Sequence, residues 1–284
     1  MSYQDSKSQL LHFHPLVGLV EQLIDPIPLK EHVDYFEIKS FDPSKADHYK
    51  SLDRDILMHL QYVTKDRLML NLAVPDILDI MDEEEFHRYM ILLDPPVISM
   101  HLGFGSSIIR SQGQGKYILG TGETLLQETI FDRIVKNVDT VRRLTQNSLP
   151  IFLENMDYTP LHLTTAYQNI CNPDFIREVI ISTDTYFLLD IGHALVSAKN
   201  LGYSLDRYLS LLPLDKVREI HLSKPGMENG ILRDLHLPLD DEIFAVLRSL
   251  IPAVQNTGYI TLETFGSLEN TIDSLQRIRE IIAI

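Results

Sequence analysis

The sequence predicts an α/β fold, a single (β/α)8 TIM barrel that occupies residues 1–284 as one domain. Short apolar runs alternate with longer helical stretches from one end of the chain to the other, which is the pattern of βα units around a parallel sheet. The length of 284 residues suits a barrel, which commonly uses about 250 residues. No linker rich in proline, glycine and serine divides the chain, so we expect one domain.

Nine apolar runs are candidate strands for the eight places of such a barrel. One of the early runs is therefore expected not to be a barrel strand. Short runs rich in β-branched and aromatic residues are typical of strands. In chain order the candidates are Pro15–Val20, Val33–Ile38, Asp55–Leu60, Leu68–Val74, Val97–His101, Ile151–Asn155, Tyr186–Asp190, Val217–Leu222 and Tyr259–Glu263.

Two stretches predict outer helices, and one segment interrupts the alternation. Apolar residues recur at helical spacing in Glu128–Leu144 and in Leu268–Ile282, as expected where one helix face packs on a sheet. Gly103–Gly122 contains six glycines, which predicts a segment too flexible for a regular element. It follows the fourth barrel strand and is either a lid or an ordinary mobile loop.

Charge and composition narrow the possible partners. The chain has 25 Lys and Arg against 40 Asp and Glu, a formal net charge of −15, which disfavours binding to nucleic acid or to an anionic membrane. Cys171 is the only cysteine, so no internal disulfide can form, which fits a reducing compartment. The N-terminus lacks the apolar core of a signal peptide, and no run approaches the roughly 20 apolar residues that span a bilayer. We therefore expect a cytoplasmic protein.

Polar side chains end five of the later apolar runs. In a parallel barrel all strands point the same way, so the side chains at their carboxyl ends converge on the face where barrel enzymes have their sites. Burying several carboxylates together is costly unless a cation compensates them. We therefore expect metal ions to be bound by His101, Glu154, Asp190, His221 and Glu263.

Four further residues extend this ligand set. His59 ends an early run, His193 follows the Asp190 strand, and Asp234 and His236 lie in a short segment after the His221 strand. The set contains imidazole and carboxylate but no thiolate, which suits iron, manganese or zinc. Nine ligands exceed the need of one ion, so with Glu154 as a bridge they would serve two or three.

Two more polar residues are candidates for substrate binding. Asn155 directly follows Glu154 and could instead be a ligand or only orient one. Lys224 follows the His221 strand and could neutralise an anionic substrate, although a solvated loop lysine is the simpler interpretation.

The same residues carry a family resemblance. The strings Leu153-Glu-Asn155, Asp190-Ile-Gly-His193, Ile220-His-Leu222, Asp234-Leu-His236 and Leu262-Glu-Thr264, with His59 and His101 upstream, resemble the xylose-isomerase-like metal barrels. Two branches fit best. Endonuclease IV has a trinuclear zinc site with this order of ligands, and the multinuclear non-heme iron oxidases that act on ribosomally made peptides share nearly the same order.

The stretch Leu188–Leu222 is most similar to the central segment of the iron oxidases. The resemblance implies an oxidase with two or three ions, iron favoured over zinc or manganese, acting on a peptide or small molecule, with a substrate thiolate as one way to reach the metal. By this resemblance the first ion would be bound by His59, His101 and Glu154, the second by Glu154, Asp190, His221 and Glu263, and the third by His193, Asp234 and His236.

Other functions remain open at this point. The endonuclease IV resemblance implies a zinc- or manganese-dependent phosphodiesterase, but an enzyme that grips DNA needs a positive surface. A sugar isomerase or epimerase would use Glu154 and Glu263 to move protons. It would leave unexplained His59, His101, His193, Asp234 and His236. A barrel that only binds a partner is the non-catalytic alternative, and the complete ligand set argues against it.

Overall fold

Eight parallel strands close into a barrel, which confirms the predicted fold. The computed structural model describes residues 15–20, 25–39, 45–61, 69–111, 118–160 and 169–283. Each barrel strand pairs with the next one along the chain, and the last pairs with the first. The barrel strands are β1 (Leu16–Val20), β2 (Tyr35–Ile38), β3 (Asp55–His59), β4 (Ile98–His101), β7 (Ile151–Glu154), β8 (Tyr186–Asp190), β9 (Val217–Leu222) and β12 (Tyr259–Leu262).

The register of the strands places ligand-type residues side by side. His101 of β4 is paired with Glu154 of β7, and Asp190 of β8 is paired with His221 of β9. His59 of β3 is paired with Ser99. Because these residues lie at or near the carboxyl ends of parallel strands, their side chains meet at one end of the barrel.

Aromatic side chains fill the barrel interior on the amino-terminal side of this polar layer. Tyr35, Leu57, Phe152 and Tyr259 belong to one buried cluster, and the Tyr35 and Tyr259 rings meet edge to face with centroids 5.4 Å apart. Such packing leaves a filled core rather than a pore. The polar layer is therefore approached from its carboxyl-terminal side.

Helices surround the barrel in the part of the chain that the structure describes. They are α1 (Ala46–Ser51), α2 (Glu83–Leu93), α3 (Gln127–Leu144), α4 (Pro173–Ser182), α5 (Ile191–Leu201), α6 (Leu205–Leu211), α7 (Asp241–Leu250) and α8 (Leu268–Ile282). The two outer helices predicted from apolar spacing are α3 and α8, and both bury one face. Among the described residues, every helix is too short or too polar to span a lipid bilayer.

The predicted strand Leu68–Val74 is wrong over its described residues, 69–74, which are irregular and include a turn at Leu72 and Ala73. Leu68 lies outside the described residues. The segment is buried because side-chain amides replace the hydrogen bonds of a sheet: Asn71 Oδ1 accepts from the Ala73 N–H at 2.9 Å, and Asn137 Nδ2 donates to the carbonyls of Leu72 and Val74 at 2.8 Å each. A short apolar run cannot by itself distinguish this arrangement from a strand.

The glycine-rich segment contains regular structure, contrary to the prediction. β5 (Ser106–Ser111) and β6 (Ile118–Thr124) form an antiparallel hairpin, with Ile108 paired to Thr121. Pairing uses backbone groups alone, and the β-branched residues of the segment favour it despite the glycines. Residues 112–117 lie outside the described residues, and the choice between lid and loop stays a prediction.

A second hairpin follows β9. β10 (Lys224–Glu228) and β11 (Ile231–Leu237) are antiparallel, with a register shift between the pairs Gly226–Arg233 and Lys224–Leu237. His236 lies in this irregular stretch with φ of 48°. Bulges of this kind change the direction of side chains beside active sites, and here the bulged strand supplies Asp234 and His236.

Candidate metal centre

Glu154 occupies the middle of the polar layer. Its carboxylate is fully buried, and Oε2 lies 3.4 Å from His59 Nε2 and 3.6 Å from His101 Nε2. Oε1 lies 3.2 Å from His193 Nδ1 and 3.9 Å from His221 Nδ1. Neither oxygen has a hydrogen-bond partner among the described residues. Both carboxylate oxygens thus face imidazole nitrogens. This is the arrangement expected of a carboxylate that bridges two bound cations.

Asp190 is fixed by the end of its strand and the start of α5. As the N-cap of α5 it accepts the His193 N–H on Oδ1 at 2.7 Å, which satisfies a helix N–H that has no partner within the helix. The Asn155 amide accepts from the Asp190 N–H at 2.9 Å and donates to the Asp190 carbonyl at 3.0 Å. Oδ2 of Asp190 is buried without a hydrogen-bond partner in the described chain, and it is left to face Glu154 and His221.

His221 and Glu263 complete this side of the cluster. His221 Nδ1 lies 3.0 Å from Glu263 Oε2, and neither atom has a hydrogen-bond partner among the residues described. The other ring nitrogen, Nε2, lies 3.1 Å from Glu37 Oε2 and 3.4 Å from Glu219 Oε1. Glu37 and Glu219 are fully buried, so His221 lies between two acidic layers.

His193, Asp234 and His236 form the outer part of the cluster. His193 Nδ1 donates to the Asn155 carbonyl at 2.8 Å, and His193 Nε2 lies 3.4 Å from Asp234 Oδ2. The same Asp234 oxygen lies 3.0 Å from His236 Nδ1, while His236 Nε2 lies 2.7 Å from Glu263 Oε1. With a carboxylate at both ring nitrogens, the His236 imidazole is arranged to carry a proton.

The pKa shifts follow from this crowding of charges. Burial alone would lower the pKa of His236, but the carboxylates of Asp234 and Glu263 outweigh it and raise the pKa to about 10. Burial raises the pKa of Asp190 to about 6. Burial also raises the pKa of Glu37 to about 7, with a further increase from Glu219 and against the lowering effect of His221. Burial lowers the pKa of His101 to about 4, which leaves a neutral imidazole able to bind a cation.

The donor set fits metal ions. Three groups of buried side chains bring one ligand atom each to within 4.8 Å of the others, and any of them could hold an ion. Several of their atoms are buried without a hydrogen-bond partner among the described residues, including His59 Nε2, both Glu154 oxygens, Asp190 Oδ2 and His221 Nδ1. Unpartnered buried carboxylates are costly, and a cation would compensate them. The groups are His59, His101 and Glu154; Glu154, Asp190 and His221; and Glu37, Glu219 and His221.

The two residues predicted to bind substrate already have protein partners. The Asn155 amide is used on the Asp190 backbone, which favours the interpretation that it orients Asp190. Lys224 Nζ lies 2.6 Å from Asp240 Oδ2, so it makes an ion pair at the start of α7 rather than with the buried cluster.

Comparison with known proteins places the chain in a family. Residues 17–283 match the model of the RiPP precursor modification enzymes MbnB/TglH/ChrH, where RiPP denotes a ribosomally synthesised and post-translationally modified peptide. The chain belongs to the MbnB/TglH/ChrH family. The resemblance to peptide-modifying metal barrels is thereby confirmed, and the chain is a member of an enzyme family.

Individual proteins similar to this MbnB/TglH/ChrH member share low sequence identity with it. A protein of Caulobacter sp. (strain K31), described as UPF0276, is 31% identical over 127 residues, 43% of this chain and 44% of that protein. The chain matches less than two thirds of the length of the first curated relatives. A xylose isomerase domain protein from Alicyclobacillus acidocaldarius has a TM-score of 0.58 at 14% identity, covering 96% of this chain and 99% of that one. Endonuclease IV from Thermus thermophilus has a TM-score of 0.54 at 16% identity, covering 95% and 99%. These likenesses show a shared fold.

Three charged residues at the cluster of this MbnB/TglH/ChrH member were not predicted from the sequence. Glu37 and Glu219 lie inside strands, and Lys39 follows β2; its Nζ contacts Glu263 Oε1. A signal was present, because residues two apart in a strand share a face. Glu219 is two residues before His221, and Glu37 interrupts an apolar run that could otherwise be buried on both faces.

Proposed function

We propose that this chain is a non-heme iron oxidase that modifies a ribosomally made peptide at a centre of two or three iron ions. The observation that carries the proposal is the Glu154 carboxylate, buried, without hydrogen-bond partners in the described chain, and surrounded by imidazole nitrogens at 3.2–3.9 Å. Membership of a family named for the modification of peptide precursors supports the substrate class.

Each group of ligands has a distinct role in this proposal. His59, His101 and Glu154 bind one ion, and Glu154, Asp190, His221 and Glu263 bind the next. His193, Asp234 and His236 are the ligands of a third. Bound iron would supply the redox chemistry with dioxygen that none of these side chains can perform. The protein residues position the ions and exclude water from them.

The substrate is proposed to reach the centre beside His236. The side chain of His236 is 22% exposed, whereas those of His59, Glu154 and His221 are 0% exposed. The Phe265 ring lies edge to face with His236, with centroids 6.1 Å apart, and is itself 47% exposed. An exposed aromatic ring beside the accessible edge of the cluster is suited to contact an apolar part of a peptide.

The test begins with the metal content of protein purified without oxygen from iron-supplemented cells. We expect two to three iron ions per chain and iron-dependent uptake of dioxygen. Addition of a cysteine-containing peptide to the oxidised protein should produce a visible sulfur-to-iron charge-transfer band. The same peptide with serine in place of cysteine is the control. Phe265→Ala should weaken binding of the peptide without lowering the iron content.

Glu154→Gln is the decisive variant. It keeps the size of the side chain but removes the negative charge, so we expect the bound iron to fall by at least about half, because two ions share this ligand. Glu178→Gln, on the exposed face of α4, is the matched control. Full iron content in Glu154→Gln would contradict the proposal. A colourless zinc protein that cleaves DNA at abasic sites would favour the phosphodiesterase, and conversion of a ketose by a manganese-loaded protein would favour the sugar isomerase.

A further inference from the structure

β2 and the residue after it contribute two charged side chains that the function proposed above does not use. Glu37 lies in β2 and Lys39 follows it, so the two share a face and both enter the polar layer. We propose that Glu37 and Lys39 are positioning residues, which hold the outer atoms of His221 and Glu263 so that their inner atoms face the bound ion. This inference rests on the proposed metal centre.

Glu37 determines which nitrogen of His221 carries the proton. Glu37 Oε2 is 3.1 Å from His221 Nε2 and makes a hydrogen bond with it. The ionised Glu37 carboxylate can only accept, so Nε2 carries the proton, and Nδ1 is the nitrogen left to offer a lone pair to an ion bound beside Glu154 and Glu263. Histidine ligands of metals typically donate their second ring N–H to such a partner.

Glu219 is less suited to this task. Its Oε1 accepts from the Thr261 hydroxyl at 2.8 Å, and that hydroxyl is 2.6 Å from the Tyr35 hydroxyl. The chain of hydrogen bonds holds Glu219 back, at 3.4 Å from His221 Nε2. Glu37 is therefore the partner that fixes the ring.

Lys39 fixes the orientation of the Glu263 carboxylate, as Glu37 fixes that of the His221 ring. The Lys39 ammonium and His236 Nε2 both contact Glu263 Oε1. The other oxygen, Oε2, is buried, has no hydrogen-bond partner among the described residues, and lies 3.0 Å from His221 Nδ1. With Oε1 occupied, Glu263 presents Oε2 to the same position that His221 Nδ1 faces.

The two contacts form a matched pair. An anion accepts from the N–H edge of an imidazole, and a cation holds one oxygen of a carboxylate. Both held groups belong to the four ligands proposed for the second ion. Glu37 lies in β2 and Lys39 directly follows it, so one short stretch supplies both positioning residues. The stretch thus shapes this ion's site without supplying a ligand.

The test uses zinc, which is diamagnetic, on the full chain with its own metals removed. Zinc affinity is measured by competition with a fluorescent chelator. We expect Glu37→Ala and Lys39→Met each to weaken zinc binding about 10- to 100-fold, the usual cost of removing such a partner. Glu37→Gln keeps an acceptor and Lys39→Arg keeps the charge, so both should lose much less. Glu31→Gln and Lys45→Met, at exposed positions, are the controls.

A second readout separates positioning from general destabilisation. In zinc-loaded protein labelled with ¹⁵N-histidine, we expect a hydrogen-bonded Nε2–H resonance from His221, assigned by its loss in His221→Asn. It should shift strongly in Glu37→Ala and not in Lys39→Met. Circular dichroism of the zinc-free variants checks folding, and if Glu37→Ala does not fold, the pair Lys39→Met and Lys39→Arg decides.

The outcomes distinguish the two proposals. If the natural chain binds zinc and Glu37→Ala and Lys39→Met bind it equally well, the inference about β2 is wrong and the metal centre stands. A His221 resonance unaffected by Glu37→Ala would also overturn the inference. An ion found in a crystal between Glu37, Glu219 and His221 would overturn it too, because Nε2 would then be a ligand. If the natural chain retains neither zinc nor iron, both proposals fail.

Discussion

One nitrogen of each of three histidine rings is occupied by a protein partner. His59 Nδ1 lies 3.0 Å from the Ser99 hydroxyl, His193 Nδ1 donates to the Asn155 carbonyl, and His221 Nε2 contacts Glu37. Each ring is thereby fixed in orientation, and the remaining nitrogen faces a carboxylate of the cluster. Such partners set which nitrogen is available to an ion.

His236 lies at the accessible edge of the cluster, with Nδ1 beside Asp234 and Nε2 beside Glu263. Its pKa of about 10 in this state means that an ion bound there at pH 7 must displace a proton. We expect loading with zinc at pH 7 to release about one proton fewer in His236→Asn than in the natural chain. Calorimetry in buffers of different ionisation enthalpy measures this. Equal proton release in the two proteins would show that zinc binding does not displace a proton from His236.

At the scale of elements, the start of α5 depends on a glycine. A Cβ atom added at Gly192 would lie 2.1 Å from Ser223 Oγ, which in turn donates to Asp234 Oδ1 at 3.2 Å. The close approach brings α5, and with it Asp190 and His193, against the end of β9. A side chain here would force the ligands of two proposed ions apart.

Gly192→Ala therefore tests which effect dominates. Helix propensity alone would stabilise the protein by up to about 1 kcal/mol, whereas the clash should lower the free energy of unfolding by about 1–3 kcal/mol. We expect the clash to dominate in urea unfolding, with lower zinc affinity. Ser223→Ala should partly restore stability in the double variant. Gly258→Ala, where the added atom has ordinary contacts, should be nearly neutral.

The turn segment 69–74 depends on one buried side chain of α3. The Asn137 amide donates to the carbonyls of Leu72 and Val74 and accepts from the Ile77 N–H at 3.0 Å. Asn137→Ala would leave three buried backbone groups without these bonds, so we expect the free energy of unfolding to fall by about 3 kcal/mol or more. Glu128→Ala, exposed on the same helix, is the control. A loss as small as that of the control would mean that water replaces the amide.

For the whole molecule, we expect bound metal ions to raise the stability of the fold, because they compensate the negative charge of the buried centre. Chelation would leave several buried carboxylates without compensation, so we expect the stripped protein to melt about 5–10 °C lower than protein in a hundredfold excess of zinc over its dissociation constant. Differential scanning calorimetry measures the change. Magnesium should not restore the loss, because imidazole ligands suit it poorly. Unchanged melting after verified removal of the metal would contradict this linkage.

The sequence could predict the barrel and the convergence of the ligands because both follow from local order along the chain. Apolar runs such as Ile151–Glu154 end in polar residues, and parallel strands bring their ends together. It could not predict the role of Glu37 or Lys39, since this depends on which face of β2 enters the barrel and on the register across to β9 and β12. The strand predicted over residues 69–74 was wrong because an apolar, buried run does not reveal which groups accept and donate its backbone hydrogen bonds. The single-domain extent of residues 1–284 stays a prediction.

The pairing of β1 with β12 joins the first and last strands of the barrel, Leu16 beside Tyr259. During synthesis, β1 leaves the ribosome long before its neighbour on one side exists, and must wait with an unpaired edge. The residues proposed to bind the second ion likewise come together only when Glu263 has emerged. A metal ion bound earlier could engage only part of the proposed ligand set, so the complete site can form only after translation has passed Glu263.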